Sequence, residues 1–290
     1  MPDMSAASRW LTYLRERSPL PLLLAVAIPQ ALSSFWLLRT GAPSAATWAC
    51  VIGIMGLLVL LRLMDEVKDE DKDRAAHPDR PVPRGLLSAD EVRRAILTVA
   101  VLLLVYAAVL AAAFSMQLSV LLAACVVYAG LMYKEFFVSR ALAERPLLYA
   151  LSHQLIVILM YEFAVAAVEP GALLSERALG WSLGGLGASF VVEVSRKLDP
   201  AAHPALRTYL QLYGRGVVTI LMLAALALLA DAAWALGLHT IVWPFAALAV
   251  LAMPVLFVRP DRHAVVAGAT GLAALVYMLA PAIAYAWSLR

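Results

Sequence analysis

Nine long apolar runs dominate this sequence and limit the folds that the chain can adopt. Each run is close to the roughly 20 residues that an α-helix needs to cross a lipid bilayer. Apolar residues make up 63% of the 290-residue chain, whereas a soluble domain is about half apolar. The runs cover residues 20–38, 46–64, 92–114, 116–133, 147–168, 178–195, 214–236, 240–258 and 264–287. The sequence therefore predicts an all-α integral membrane protein built as a bundle of nine transmembrane helices.

The basic residues between these runs predict the orientation of the chain. If the N-terminus is cytoplasmic, 20 of the 23 Lys and Arg residues fall on the cytoplasmic side, as the positive-inside rule requires. Only Arg39, Arg177 and Arg290 fall on the other side. We therefore expect a multi-pass protein of the cell (inner) membrane, with its N-terminus in the cytoplasm and its C-terminus outside.

The polar segments between the runs are short, so we expect residues 1–290 to form a single transmembrane domain. Residues 1–18 combine Trp and Leu with several Arg residues, a composition typical of an amphipathic helix at the membrane interface. Two cytoplasmic loops, residues 65–91 and 196–213, carry most of the polar side chains that point to chemistry.

The first of these loops begins with the most acidic stretch of the chain. Asp65, Asp69 and Asp73 follow one another at intervals of four residues, which on a helix stacks three carboxylates along one face. Like charges at that spacing repel one another, so the helix needs a cation to bridge them. Magnesium takes oxygen ligands and is usually held by one or two carboxylates plus substrate phosphates. The pattern therefore predicts that the three aspartates are metal ligands for a magnesium-bound diphosphate.

The aspartates, followed by Arg80-Pro81-Val82-Pro83-Arg84-Gly85, resemble the first signature of the UbiA superfamily of intramembrane prenyltransferases, NxxxDxxxD and R-P-x-P-x-G. Asp65 stands where that family usually has Asn, and Asp is the better ligand for a hard cation. The spacer between the third aspartate and the Arg-Pro turn is slightly short. The resemblance implies a UbiA-like fold of nine helices whose active-site mouth opens on the cytoplasmic side.

The second loop carries a cluster of charges that departs from the family pattern. In many relatives the second motif reads roughly E-[IV]-x-K-D, and here Glu193 and Arg196 match the Glu and the Lys, but Lys197 stands in place of the Asp. Two interpretations stay open. Glu193 and Asp199 hold a second metal ion, or Arg196 and Lys197 bind the diphosphate directly as fixed positive charges. We favour the second. Tyr209 lies in a segment that resembles the residues following that motif in the family, and it is a candidate for substrate binding.

Four further side chains are candidates for substrate binding. Tyr128 and Lys134, near the end of the fourth run, resemble a family position that faces the pocket, although an interfacial anchor is an equal alternative. His153 lies in the fifth run, where polar groups are costly. It either orients an acceptor or acts as a base, or else it caps a neighbouring helix carbonyl. Lys72, within the acidic stretch, is the fourth.

These residues and the resemblance to the UbiA superfamily together imply a magnesium-dependent enzyme that acts on an isoprenyl diphosphate inside the membrane. Mg2+ at the aspartates, with Arg80 and Lys197, would neutralise the diphosphate so that the allylic C–O bond breaks. The prenyl group then passes to a lipophilic, aromatic acceptor. The alternative is a UbiA-type terpene cyclase, which needs no acceptor. A remoter alternative is a divalent-cation transporter, although a transporter would place its carboxylates mid-span. The expected partners are the diphosphate, the acceptor and lipid, and no nucleic acid.

Overall fold

The computed structural model of the chain describes residues 4–290, so residues 1–3 of the predicted interfacial segment lie outside the described residues. This part of the chain is helical throughout and contains no β-strand. The helices are α1 (Ala6–Arg17), α2 (Leu20–Leu38), α3 (Ala45–Lys68), α4 (Glu70–Ala76), α5 (Ala89–Ala113), α6 (Met116–Tyr133), α7 (Ser139–Ala143), α8 (Pro146–Gln154), α9 (Ile156–Ala166), α10 (Glu176–Ser195), α11 (Tyr209–Ala235), α12 (His239–Ala252), α13 (Val255–Val258) and α14 (His263–Ser288).

Within residues 4–290, nine helical segments are long and apolar enough to cross a membrane, which confirms the predicted number. Six of them are single helices, α2, α3, α5, α6, α10 and α11. The fifth span joins α8 to α9, the eighth joins α12 to α13, and the ninth, Pro260–Ser288, is α14 with a short 3-10 turn before it. Each observed span overlaps one of the predicted apolar runs.

Several spans extend further than their apolar runs because polar side chains cap the helices. Ser88 and Glu91 form a capping box, in which each side chain binds the other's backbone N–H. This box starts α5 at Ala89, ahead of the predicted residue 92. Serine side chains likewise cap the starts of α3, α6 and α10. Hydropathy marks the apolar part of a helix, whereas hydrogen bonds decide where the helix begins.

A capping box also sets the start of α11, and the helical backbone is interrupted one turn later. Thr208 and Gln211 form a capping box that starts the helix at Tyr209. Gly214 then adopts φ 73° and ψ 174°, a conformation outside the helical range that glycine alone adopts without strain. The predicted start of this span, residue 214, therefore coincides with the break, and one extra turn precedes it.

The chain divides into two compact units. The first contains the residues up to Ala31 together with Ser44–His153, and α3, α5 and α6 pack against one another within it. α3 and α5 approach closely at Gly56, where an added Cβ would lie 2.7 Å from a methyl group of Leu103. Small residues allow membrane helices to come this close.

The second unit contains Leu32–Pro43 and Gln154–Arg290. Its central helix is α10, which packs against α9, α11 and α14. Trp181 on α10 is fully buried, stacks on Tyr277 at 5.0 Å between ring centroids, and meets the edge of Tyr161 at 5.1 Å. Trp181 also donates its indole N–H to Ser34 Oγ at 2.8 Å. That the whole chain forms one domain stays a prediction.

Glycines on α10 set the distance between α10 and its neighbours, and this gives a prediction. A Cβ on Gly187 would lie 2.7 Å from the backbone oxygen of Ala225, which cannot move without shifting α11. We expect Gly187→Ala to destabilise the protein by about 1–3 kcal/mol, seen as a lower Tm in detergent. The control is Gly216→Ala, since Gly216 has open space around its Cβ position. A Tm that falls equally in both variants would contradict this account.

Candidate functional site

The predicted carboxylates lie where two helices of the first unit meet. Asp65 is in the last turn of α3, Asp69 is the junction residue, and Asp73 is in α4. The backbone N–H of Asp69 donates to the carbonyl of Asp65 at 2.9 Å, and that of Asp73 donates to the carbonyl of Asp69 at 2.8 Å. The three residues therefore follow at intervals of one helical turn, as predicted, although a slight break at Asp69 separates the two helices.

The three carboxylates differ in their surroundings. Asp65 is exposed, and Asp69 is partly exposed and accepts a hydrogen bond from Lys72 Nζ at 3.0 Å. Asp73 is buried and accepts from Arg80 Nη1 at 2.5 Å. Two predicted substrate-binding cations, Lys72 and Arg80, are thus in direct contact with two of the predicted metal ligands.

The Arg-Pro turn after α4 brings Arg80 back to the acidic helix. Its backbone forms consecutive turns: Arg84 N–H donates to the Arg80 carbonyl, and Gly85 N–H donates to the Val82 carbonyl, each at 3.0 Å. Gly85 has φ 78°, a left-handed conformation that explains why the turn ends in glycine. Val82, within this turn, is buried, and the burial of its apolar side chain stabilises the turn.

Among residues 4–290, no three His, Cys, Asp or Glu side chains form a group that could hold a metal ion by themselves. Mg2+ commonly needs only one or two protein carboxylates, because substrate phosphates and water complete its octahedron. The hard carboxylate oxygens of the acidic helix match that requirement. The predicted Mg2+ dependence of the site stays a prediction.

Lys68, in the last turn of α3, is a central residue of this region that sequence reasoning did not single out. Its ammonium group donates to the carbonyl of Met132 at 3.0 Å, lies 3.1 Å from Nε2 of His153, and sits 5.1 Å from the centre of the Tyr149 ring. His153 Nδ1 lies 2.8 Å from the carbonyl of Tyr149 and so donates to it. Nε2 is then the acceptor for Lys68. His153 therefore anchors a lysine and a helix carbonyl, which favours the capping alternative.

Tyr128 and Lys134, which are two further predicted substrate-binding residues, have contacts of their own. The Tyr128 hydroxyl donates to the carbonyl of Ser152 at 2.7 Å, and Lys134 lies over the ring of Tyr133 at 5.3 Å. A left-handed turn follows at Glu135–Phe137, with φ between 49° and 59° at all three residues. Such values are costly for residues other than glycine and persist only where surrounding contacts impose them. The predicted roles of Tyr128 and Lys134 stay predictions.

Lys68 is expected to hold this left-handed turn in place. Besides its contact with Met132, its ammonium group lies 4.0 Å from the Glu135 carboxylate. We expect Lys68→Met to raise the rate of trypsin cleavage at the exposed Arg140 about tenfold, because local opening becomes easier. The control is Lys72→Met, which removes only an exposed ion pair. Equal cleavage rates in the wild type and in Lys68→Met would contradict this role.

The second predicted cluster lies in the second unit, at the end of α10. Both oxygens of the Glu193 carboxylate are paired: one accepts from Arg196 at 3.0 Å and the other from Lys197. Lys197 also lies 5.0 Å from the centre of the buried Tyr209 ring. Asp199 accepts a hydrogen bond from the backbone N–H of Ala201 at 2.8 Å and so stabilises its own turn.

These contacts bear on the two interpretations of the second cluster. Glu193 is already neutralised by two cations, and Asp199 is engaged in a turn, so neither offers a vacant pair of oxygens. Arg196 and Lys197 share the single Glu193 carboxylate, and their side chains are 62% and 41% exposed. This arrangement suits direct binding of an anion better than binding of a second metal ion. The role of the cluster stays a prediction.

Comparison with known proteins supports the fold. No protein-family description and no curated protein matches this sequence. The structure resembles a solved structure of digeranylgeranylglyceryl phosphate synthase, studied in membranes, with a TM-score of 0.66 and 14% sequence identity. The match covers 95% of this chain and 98% of that chain. The likeness shows that this chain shares the fold of that synthase, and the nine candidate spans confirm the predicted all-α bundle of membrane helices.

Proposed function

We propose that this protein is a UbiA-type intramembrane prenyltransferase, which ionises an isoprenyl diphosphate with the help of Mg2+ and transfers the prenyl group to a lipophilic acceptor. The observation that carries the proposal is that the Arg-Pro turn meets the aspartate series, where Arg80 donates a hydrogen bond to the buried Asp73 carboxylate. Its support from comparison is the shared fold with a membrane-bound synthase.

The residues at the end of α3 are suited to holding a metal-bound diphosphate. Asp65 and Asp69 are the accessible carboxylates of the series and are the residues that we propose to hold Mg2+. When bound, Mg2+ would neutralise charge on the diphosphate and so make it a better leaving group. The carboxylates are the oxygen ligands that this ion prefers.

The cations of the same segment provide the remaining charge stabilisation. Arg80 is held by a carboxylate at its Nη1 atom while its side chain is 32% exposed, so other guanidinium N–H groups can donate to a phosphate oxygen. The Lys72 side chain is more than half exposed, so its ammonium group can leave Asp69 and bind the substrate diphosphate instead. Fixed donors of this kind stabilise the negative charge that develops on the leaving diphosphate. An apolar surrounding then protects the allylic cation from water.

The position of the carboxylates argues against the transporter alternative. They lie at the end of α3 and in α4 beside basic side chains, whereas transporters place their ion-binding groups near the middle of a span. The fold and these residues are equally compatible with a UbiA-type cyclase, so the fate of the allylic cation must be measured.

Product analysis tests the proposal. Purified protein is incubated with Mg2+ and C10, C15 or C20 isoprenyl diphosphates, with and without a phenolic acceptor, and diphosphate release is measured together with extractable products. We expect a prenylated acceptor and release that stops when Mg2+ is chelated. A cyclic hydrocarbon formed without acceptor would establish the cyclase alternative. No release under any of these conditions would overturn the proposal.

A further inference from the structure

Helix α1 turns a polar face toward the rest of the first unit. Arg9, Tyr13 and Arg17 recur every four residues and therefore share one face of the helix. Tyr13 is fully buried, whereas Leu11 and Leu14 are exposed. A simple interfacial anchor would keep its arginines in water, whereas the arginines on this face bind other parts of the first unit.

The C-terminal end of this face is attached to the acidic helix. Arg17 Nε donates to Glu66 Oε1, and the Glu66 carboxylate is completely buried. The second oxygen of Glu66 and the hydroxyl of Tyr13 are buried without a hydrogen-bond partner among the described residues. Burial, with a smaller contribution from Glu66, raises the pKa of Tyr13 above its usual value, so Tyr13 is a neutral donor. Glu66 directly follows Asp65, so α1 holds the turn that carries the first aspartate.

Further hydrogen bonds attach α1 to the Arg-Pro turn, to Leu86 and to the start of α5. Arg9 donates to Glu91 Oε1 at 2.7 Å and to the carbonyl of Leu86 at 3.2 Å. Glu16 accepts from Arg84 Nη2 at 2.8 Å. Arg84 lies four residues after Arg80, in the same turn.

We propose that α1 is a positioning element for the diphosphate, which fixes the aspartate-bearing end of α3 and the Arg80–Gly85 turn at their working separation. The inference rests on the proposed function. Stabilisation of the fold explains the Glu16–Arg84 contact less well, because this pair is substantially exposed and such pairs contribute at most about 1 kcal/mol. Loss of positioning lowers the fraction of molecules that can bind, which raises the apparent Kd in proportion.

A charge exchange at the exposed pair tests this role. We expect Glu16→Arg to raise the KM for the isoprenyl diphosphate about tenfold, as it would if the binding-competent fraction fell to about a tenth, with kcat within about twofold. The double variant Glu16→Arg/Arg84→Glu is expected to restore KM to within about threefold of wild type. A readout independent of turnover is the rise in Tm caused by Mg2+ with inorganic diphosphate, which we expect Glu16→Arg to reduce and the double variant to restore.

The exposed Arg15 on the same helix provides the control, and Arg15→Ala is expected to leave KM and the Tm rise unchanged. An unchanged KM in Glu16→Arg, or the same increase in Arg15→Ala, would overturn the positioning role while leaving the proposed function intact. Failure of the double variant to restore both readouts would also overturn it. If the wild type itself releases no diphosphate, the proposed function fails first and the inference fails with it.

Discussion

Replacing Asp69 by alanine is expected to lower the rate of diphosphate release by about 100-fold or more. Asp69 is the middle carboxylate of the series and accepts its hydrogen bond from Lys72 at an accessible position. Loss of one group that stabilises developing charge at a reaction centre commonly costs about 10²–10³ in rate. Release is measured in detergent with saturating Mg2+ and isoprenyl diphosphate. Since Asp69 is partly exposed, the variant is expected to keep the Tm of the wild type within a few degrees.

Asp71 offers a matched control for this experiment. It lies in the same acidic stretch and is exposed, but it falls outside the four-residue series. Asp71→Ala removes the same charge, and we expect it to keep activity within about twofold of wild type. An equal loss in both variants would mean that the overall negative charge of the stretch matters and that no defined ligand set exists. Undiminished release by Asp69→Ala would rule out the proposed mechanism.

Arg80→Ala is expected to have the largest effect on stability, in addition to abolishing activity. The Asp73 side chain is only 4% exposed and is paired with Arg80 at 2.5 Å. Removing one partner of a buried pair leaves a carboxylate without compensation, which costs about 3–5 kcal/mol. Because Arg80 itself is partly exposed, water can reach part of the vacated space, so we expect the lower end of that range. In a thermal unfolding experiment this corresponds to a Tm lower by about 5–10 °C.

Two comparisons separate the stability effect from the catalytic one. Arg74→Ala breaks an exposed pair with Glu70 on the same short helix and is expected to change stability by less than about 1 kcal/mol. The double variant Arg80→Ala/Asp73→Ala removes both charges, so we expect it to recover part of the Tm while staying inactive. If the Tm of the double variant is as low as that of Arg80→Ala, the unpaired Asp73 charge is not the cause of the lost stability.

The fold could be predicted from sequence because membrane spans depend on apolar length, and length is visible in the chain. Positions decided by hydrogen bonds could not be read from hydropathy. The capped starts at Ser88 and Thr208 are two such positions. The left-handed turn at Glu135–Phe137 had no sequence signal, since none of its residues is glycine.

The candidate site was predictable only where its residues follow one another in a motif. The spacing of Asp65, Asp69 and Asp73 depends only on local helix geometry, and in the structure successive aspartates are one helical turn apart. Lys68 could have been found, because it lies three residues after Asp65 and helix neighbours at that distance meet. The pairing of Arg17 with Glu66 spans 49 residues, and nothing in a single sequence indicates a partner at that distance.

The very short link between α5 and α6 has a consequence for how the protein is made. Only Phe114 and Ser115 separate the two helices, which pack along each other and are the least buried of the spans. A link of two residues reaches at most about 7 Å, so the end of α5 and the start of α6 stay at the same membrane face and the two helices insert side by side. During biosynthesis the pair is therefore expected to leave the translocation machinery as a preformed hairpin, ready to receive the later helices.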